Sequence, residues 1–224
     1  MNYIDQLSTL FALPANANLG FSEEAIFALE NRLELRLPAV LKTFYRSLGR
    51  CPEMNASHNR LIDPAQQVGF SADDYLVFYE ENQVVAYWGI KATDLSLDNP
   101  PVYGNYSPSA PDGEWLLDAE DLETFLLLMS ISNGVLGGLT HNANSFEPLL
   151  PQTLAHIEAN WKEVHSSSLM PQRVFSNDFK DVICIPVDEQ GNSTGILVGS
   201  CNRDAFDRLL ALDVNWYFTS DDEG

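Results

Sequence analysis

Positive charge is what this 224-residue chain has least of: 12 Lys and Arg stand against 32 Asp and Glu, a net charge of −20 and a pI near 4.2. Between Lys91 and Lys162 there is no Lys or Arg, yet that stretch carries ten acidic residues. The imbalance deepens along the chain, from 14 acids and 7 bases in residues 1–112 to 18 acids and 5 bases in residues 113–224. Phosphates would be repelled, which argues against a nucleic-acid partner. A basic macromolecule is the partner such a surface favours, although acidity also serves plain solubility.

Cysteine is scarce too. Cys51, Cys184 and Cys201 are too few and too scattered for a disulfide framework or a zinc site, and reduced thiols suit the cytosol. No apolar run approaches the roughly 18 residues of a membrane span, so no membrane partner is expected. The opening MNYIDQLSTLFALP lacks a basic leading region, contains Asp5 and does not read as a signal peptide, so a cytoplasmic location is expected. Neither an internal repeat nor a long linker is visible, and the expectation is one domain over residues 1–224. A fold of this size buries roughly 70% of its unfolded surface and needs no staples.

Complete catalytic motifs are missing as well. His156-Ile157-Glu158 is the first half of a zinc-deaminase signature whose P-C-x-x-C half is absent, and its spacing fits an ordinary amphipathic helix. His58, His141 and His165 form no pair at ligand spacing with a carboxylate. The glycines Gly134, Gly137 and Gly138 follow a helix rather than a strand, unlike a dinucleotide turn or a phosphate loop. Gly199-Ser200-Cys201-Asn202 lacks the second glycine of a nucleophile elbow. Glu80 and Glu81, adjacent in an extended chain, point to opposite faces and make no carboxylate pair. Cys51 alone among the cysteines has basic neighbours that favour a thiolate. The expectation is a non-enzyme with no catalytic, metal or cofactor-binding residues and no cofactor.

What the chain does have is a dense aromatic stretch at residues 74–90, DYLVFYEENQVVAYWGI. Two β-rich runs, 75–79 and 84–90, flank a polar loop at 80–83 and predict a hairpin. Both runs are apolar at nearly every position, so both faces are expected to be covered, with Trp88 in the core. Helices are expected over 2–13, 22–34, 36–49, 118–132, 151–164 and 203–212. Ser22 is read as an N-cap, Pro38 as a first helical residue and Gly49 as a C-cap. Lys42, Arg46 and Arg50 fall four apart on what reads as a solvated helix face. Residues 105–113 and 134–145 read as loops and 114–117 as a short strand. A second hairpin is expected from 182–187 and 194–199, packed on the same core and placing Cys184 opposite about Val198. Short strands are expected at 173–176 and 214–218, and an acidic, frayed end beyond them.

In order, RLPAVLKTFYRSLG at 36–49, the hairpin ending in AYWGI, NPPVY at 99–103 and EWLLDAEDLETFL at 114–126 resemble the SUKH superfamily over roughly residues 22–130. The resemblance implies an α+β domain, an antiparallel sheet flanked by helices, with no catalytic motif to carry over. It also implies, for bacterial members, binding and neutralising a cognate toxin, often a nuclease. An acidic inhibitor suits a toxin that must be basic to grip nucleic acid. The expected function is therefore a non-catalytic immunity protein whose partner is a basic toxin domain. The alternative is a cytosolic regulatory or scaffold module that binds an endogenous protein or small ligand. The residues expected to contribute to docking are Asp112, Glu114, Asp118, Glu120, Asp121 and Glu123.

Overall fold

Polar residues with short side chains set the first helix starts. In this computed structural model, which describes residues 2–65, 67–108, 110, 113–167 and 169–223, Asn2 caps α1 (Tyr3–Leu10) by accepting the Asp5 N–H at 3.0 Å. Ser22 caps α2 (Glu23–Arg32) in the same way through the Ala25 N–H at 3.2 Å. Glu23 and Glu24 occupy its first turn, where the helix dipole favours them. Pro38 precedes α3 (Ala39–Leu48), which buries Leu41, Phe44, Tyr45 and Leu48. A Cβ on Gly49 would lie 2.7 Å from the Phe21 ring and 2.8 Å from the Tyr45 carbonyl oxygen. Close approach, rather than left-handed backbone, is therefore what this glycine allows.

After α4 (Pro52–Asn55) come β1 (Arg60–Leu61), β2 (Gly69–Phe70), β3 (Tyr75–Glu80), β4 (Tyr87–Lys91), β5 (Val102–Asn105) and β6 (Trp115–Ala119), followed by α5 (Leu122–Asn133). The remaining elements are β7 (His141–Ser145), α6 (Pro151–Asn160), β8 (Lys162–Ser167), β9 (Gln172–Ser176), β10 (Val182–Pro186), β11 (Ile196–Ser200), α7 (Arg203–Leu210) and β12 (Phe218–Thr219). Helices and antiparallel sheets make the fold α+β. The chain divides into two compact units, residues 16–130 and residues 1–15 with 131–224. Among the described residues there are two six-stranded sheets, and the second hairpin joins a sheet of its own.

In the unit of residues 16–130 the strand order is β1-β3-β4-β5-β6, with β2 also paired to β3. The aromatic hairpin is interior as expected, pairing Tyr75 with Lys91 and Leu76 with Ile90. Its second strand starts only at Tyr87. Val84 and Val85 are exposed, and Val84 takes φ 61° in the turn. One face of the hairpin buries Leu76, Phe78, Trp88 and Ile90. Phe125 of α5 meets the Phe78, Tyr79 and Trp88 rings at centroid distances of 5.7, 5.7 and 6.1 Å. The other face, carrying Tyr75, Val77 and Tyr87, is only half-buried. Full coverage of both faces was the wrong expectation: Tyr75, Val77 and Tyr87 fall on the open side, while a bulge between Val77 and Tyr79 lets the adjacent Phe78 and Tyr79 both turn inward.

Two of the helix cations are not simply solvated. Lys42 reaches the buried Glu30 carboxylate at 2.9 and 3.0 Å, while Leu37 donates its N–H to it at 3.0 Å. Burial pushes the Glu30 carboxyl up, but the Lys42 and Leu37 hydrogen bonds and the Lys42 and Arg36 charges outweigh it and hold it below the usual range. Arg46 pairs with Glu23, so both contacts tie α3 to α2.

In the unit of residues 1–15 and 131–224 the order is β12-β7-β11-β10-β9-β8. Ile157, Phe175, Ile183, Val198, Phe206 and Leu209 belong to its core cluster. Leu7 and Leu10 of α1 are fully buried. Residues 141–145, read as loop from their polar composition, form the interior strand β7, paired with β11 and β12. Asn142 is accommodated there by donating its side-chain N–H to the Leu139 carbonyl at 3.2 Å. Residues 162–164, expected to end a helix, begin strand β8. In β10 and β11, Cys184 lies opposite Leu197 rather than Val198, and all three thiols are free. No helix among the described residues is long and apolar enough to cross a membrane.

Candidate functional site

The segment EWLLDAEDLETFL folds as strand, bulge and capped helix, and that sequence of events decides where each acid points. Val102 pairs with Ala119 and Tyr103 with Leu117, so Asp118 is the extra residue of a β-bulge. A bulge re-aims a side chain. Here it turns Asp118 inward, at 7% exposure, where its carboxylate accepts the Trp88 indole N–H at 2.7 Å and the Tyr106 hydroxyl. A Cβ on Gly104 would stand 2.4 Å from the same carboxylate, so the glycine makes the room. Burial pushes the Asp118 carboxyl above its usual range, and the two hydrogen bonds offset this only in part. The Tyr106 ring is 53% exposed, but burial at its hydroxyl end and the Asp118 contact raise that group.

The expected acidic patch is therefore dispersed. Asp118, expected to open a helix at the surface, lies in strand β6 and serves the interior. Asp121 caps α5, accepting the Thr124 N–H at 2.8 Å and the Thr124 hydroxyl at 2.9 Å. It also accepts the Asn99 amide at 3.3 Å, and Asn99 takes the Glu123 N–H at 2.9 Å. Glu123 is half-buried in the first helical turn. Glu114 and Glu120 remain exposed, one at each end of β6. Asp112 lies outside the described residues. Between the two glutamates Leu116 and Leu117 are 53% and 41% exposed, and among the described residues β6 is the last strand of its sheet.

The open face of the same sheet carries a groove of about 680 Å³ that the sequence reading missed. Phe70, Val77, Tyr87 and Trp115 supply its apolar lining, and Arg60, Asp73 and Glu80 its charges. Trp115 stacks on Tyr75 at 4.3 Å and donates its indole N–H to Asp73 at 3.3 Å. Arg60 pairs with Glu80 at 3.1 Å. The available signal was the alternation of Tyr75 and Val77 with Leu76 and Phe78.

The groove carboxylates are engaged by an indole and a guanidinium. No cluster of three or more His, Cys, Asp or Glu able to hold a metal occurs among the described residues. Cys51, the one cysteine with basic sequence neighbours, is buried; burial raises its thiol to about 11, and the Glu53 contact adds to the rise. Its basic sequence neighbours do not produce a thiolate. His156 and Glu158 are exposed on α6, and Glu158 pairs with Arg173 at 2.8 Å. No family model, curated protein or solved structure matches this chain.

Proposed function

We propose that this chain is a non-catalytic acidic binding protein that neutralises a basic toxin domain by covering its working surface. The single observation carrying this reading is the edge of β6. Two exposed glutamates flank the strand, and Leu116 and Leu117 between them are exposed on its two opposite faces, within a run of 70 residues that holds no Lys or Arg. Charge of one sign beside an apolar edge suits a protein partner of the opposite sign, because complementary charge raises the association rate and apolar burial holds the complex. The SUKH resemblance supplies the biological setting, that of an immunity protein acting in the cytoplasm of a bacterium.

The test is protection. Candidate basic toxin domains are produced in a sensitive host with and without this chain, and growth is compared. Rescue, together with an in-vitro association rate that falls as salt rises, supports the proposal. Failure to rescue and to bind at low salt overturns it.

The groove favours a second reading, a regulatory module that holds a small ligand or short segment against Tyr87 and Trp115. Quenching or enhancement of tryptophan fluorescence by cytosolic metabolites, lost in Trp115→Leu, would distinguish that role.

A further inference from the structure

We infer that the outer edge of β6 receives an extended segment of the basic partner as an added antiparallel strand, with Lys or Arg of that segment set against Glu114 and Glu120. The inference rests on the binding-protein reading above and names the surface and the mode of contact.

Three observations meet at this edge. β6 pairs only with β5 among the described strands, so alternate residues along it turn their N–H and C=O groups away from the sheet. Such an edge is a template for another chain, and proteins ordinarily blunt it with lysine, proline or a covering element. β6, reading WLLDA, has neither lysine nor proline, and its two leucines are open to solvent. The bulge sits at Asp118, near the C-terminal end of the strand, and leaves Trp115, Leu116 and Leu117 in unbroken register with β5.

The charges decide between occupants. A second copy of this chain would pair through the same edge about a two-fold axis. That pairing lays a strand flanked by Glu114 and Glu120, in a run free of Lys and Arg, against its own copy, and like charges brought together across a strand pair destabilise it. A basic segment reverses the sign at both ends. At about 3.4 Å per residue the two glutamates span on the order of 20 Å, which calls for basic residues five or six positions apart with β-forming residues between them. Main-chain hydrogen bonds then supply affinity, and the charged ends supply register.

A capped seven-residue peptide, lysine at each end and alternating valine and threonine between, is the probe. Its binding to the full chain is followed by fluorescence anisotropy, beside the same peptide N-methylated at every internal residue. The charge is unchanged in the second peptide, while the backbone donors are gone. Binding of the first, at least tenfold weaker for the second and at least tenfold weaker to Leu117→Lys, supports strand addition. Leu116→Lys serves if Leu117→Lys does not melt like the parent. Equal binding of both peptides overturns strand addition and leaves only electrostatic adsorption. Binding of neither peptide overturns it as well. The protection experiment reads the binding-protein proposal independently, so rescue that persists in Leu117→Lys would sink the edge and spare the function.

Discussion

The indole N–H of Trp88 donates to the Asp118 carboxylate at 2.7 Å, across 30 residues of sequence and inside the sheet. An interior strand and a bulged edge strand are thus joined by a charged hydrogen bond, and Trp88 is committed to packing on one side and polar pairing on the other. Trp88→Ala is expected to cost about 3–5 kcal/mol, since it empties an aromatic site and strips a buried acceptor of one donor. Urea unfolding checks it. A variant that unfolds like the parent but loses its partner would make Trp88 a binding residue instead.

Gly104 and Asp118 are expected to be coupled. Gly104→Ala sets a methyl 2.4 Å from the carboxylate oxygen and should cost about 1–3 kcal/mol. In an Asp118→Ala background the nearest obstacle is gone and the Tyr106 ring edge at 3.0 Å remains, so the same substitution should cost markedly less. A double-mutant cycle reads the difference, and strict additivity would show that the two do not meet.

Two buried carboxyls should bend the stability curve in opposite senses. Asp118 is raised in the folded state, so between the ordinary aspartate value of about 3.9 and its own the native form holds more protons. Its contribution is present below that window and is lost as pH rises through it. Glu30 is lowered, so its contribution is present above the ordinary glutamate value of about 4.3 and is lost as pH falls through its folded value. Asp118→Asn should flatten the decline on the upper side, and Glu30→Gln the loss on the acid side. Urea midpoints from pH 3 to pH 8 test both, and slopes identical to the parent's would count against the assignment.

Helix starts and apolar faces were legible because they are local. Ser22 announces its cap, and Leu122, Phe125, Leu126 and Met129 keep helical spacing. The aromatic hairpin was legible for the same reason, whereas the α+β class came from the resemblance carried by the order of the motifs. Asp118 was not. Its place depends on a bulge set by pairing with Val102 and Tyr103, more than a dozen residues away, and nothing in DAEDLE distinguishes a buried acid from a helix-opening one. β7 was hidden differently, since HNANS is a poor strand by propensity and is held by neighbours from the far end of the chain. The groove was masked by composition, because an aromatic run looks equally buried whichever face each ring takes.

The thiols should react in a fixed order. Burial raises Cys184 to about 12 and Cys51 to about 11, whereas Cys201 is only half-buried. Iodoacetamide at pH 8 should modify Cys201 first and reach the other two only with denaturant. Peptide mapping gives the order, and early labelling of Cys51 would contradict it.

One of the two compact units is made from the two ends of the chain, residues 1–15 and 131–224. During synthesis its first helix leaves the ribosome more than a hundred residues before the strands that belong with it. Phe11, beside Gly134, and the buried Leu7 and Leu10 must wait for that delivery. Residues 16–130, by contrast, form an uninterrupted stretch whose sheet is complete before β7 is made. The sheet of the other unit closes only when β12, at residues 218 and 219, reaches β7. Loss of residues 3–10 or of residues 218–219 would therefore strike the same unit, and a chain stalled before residue 141 would hold one finished sheet and an unpaired helix.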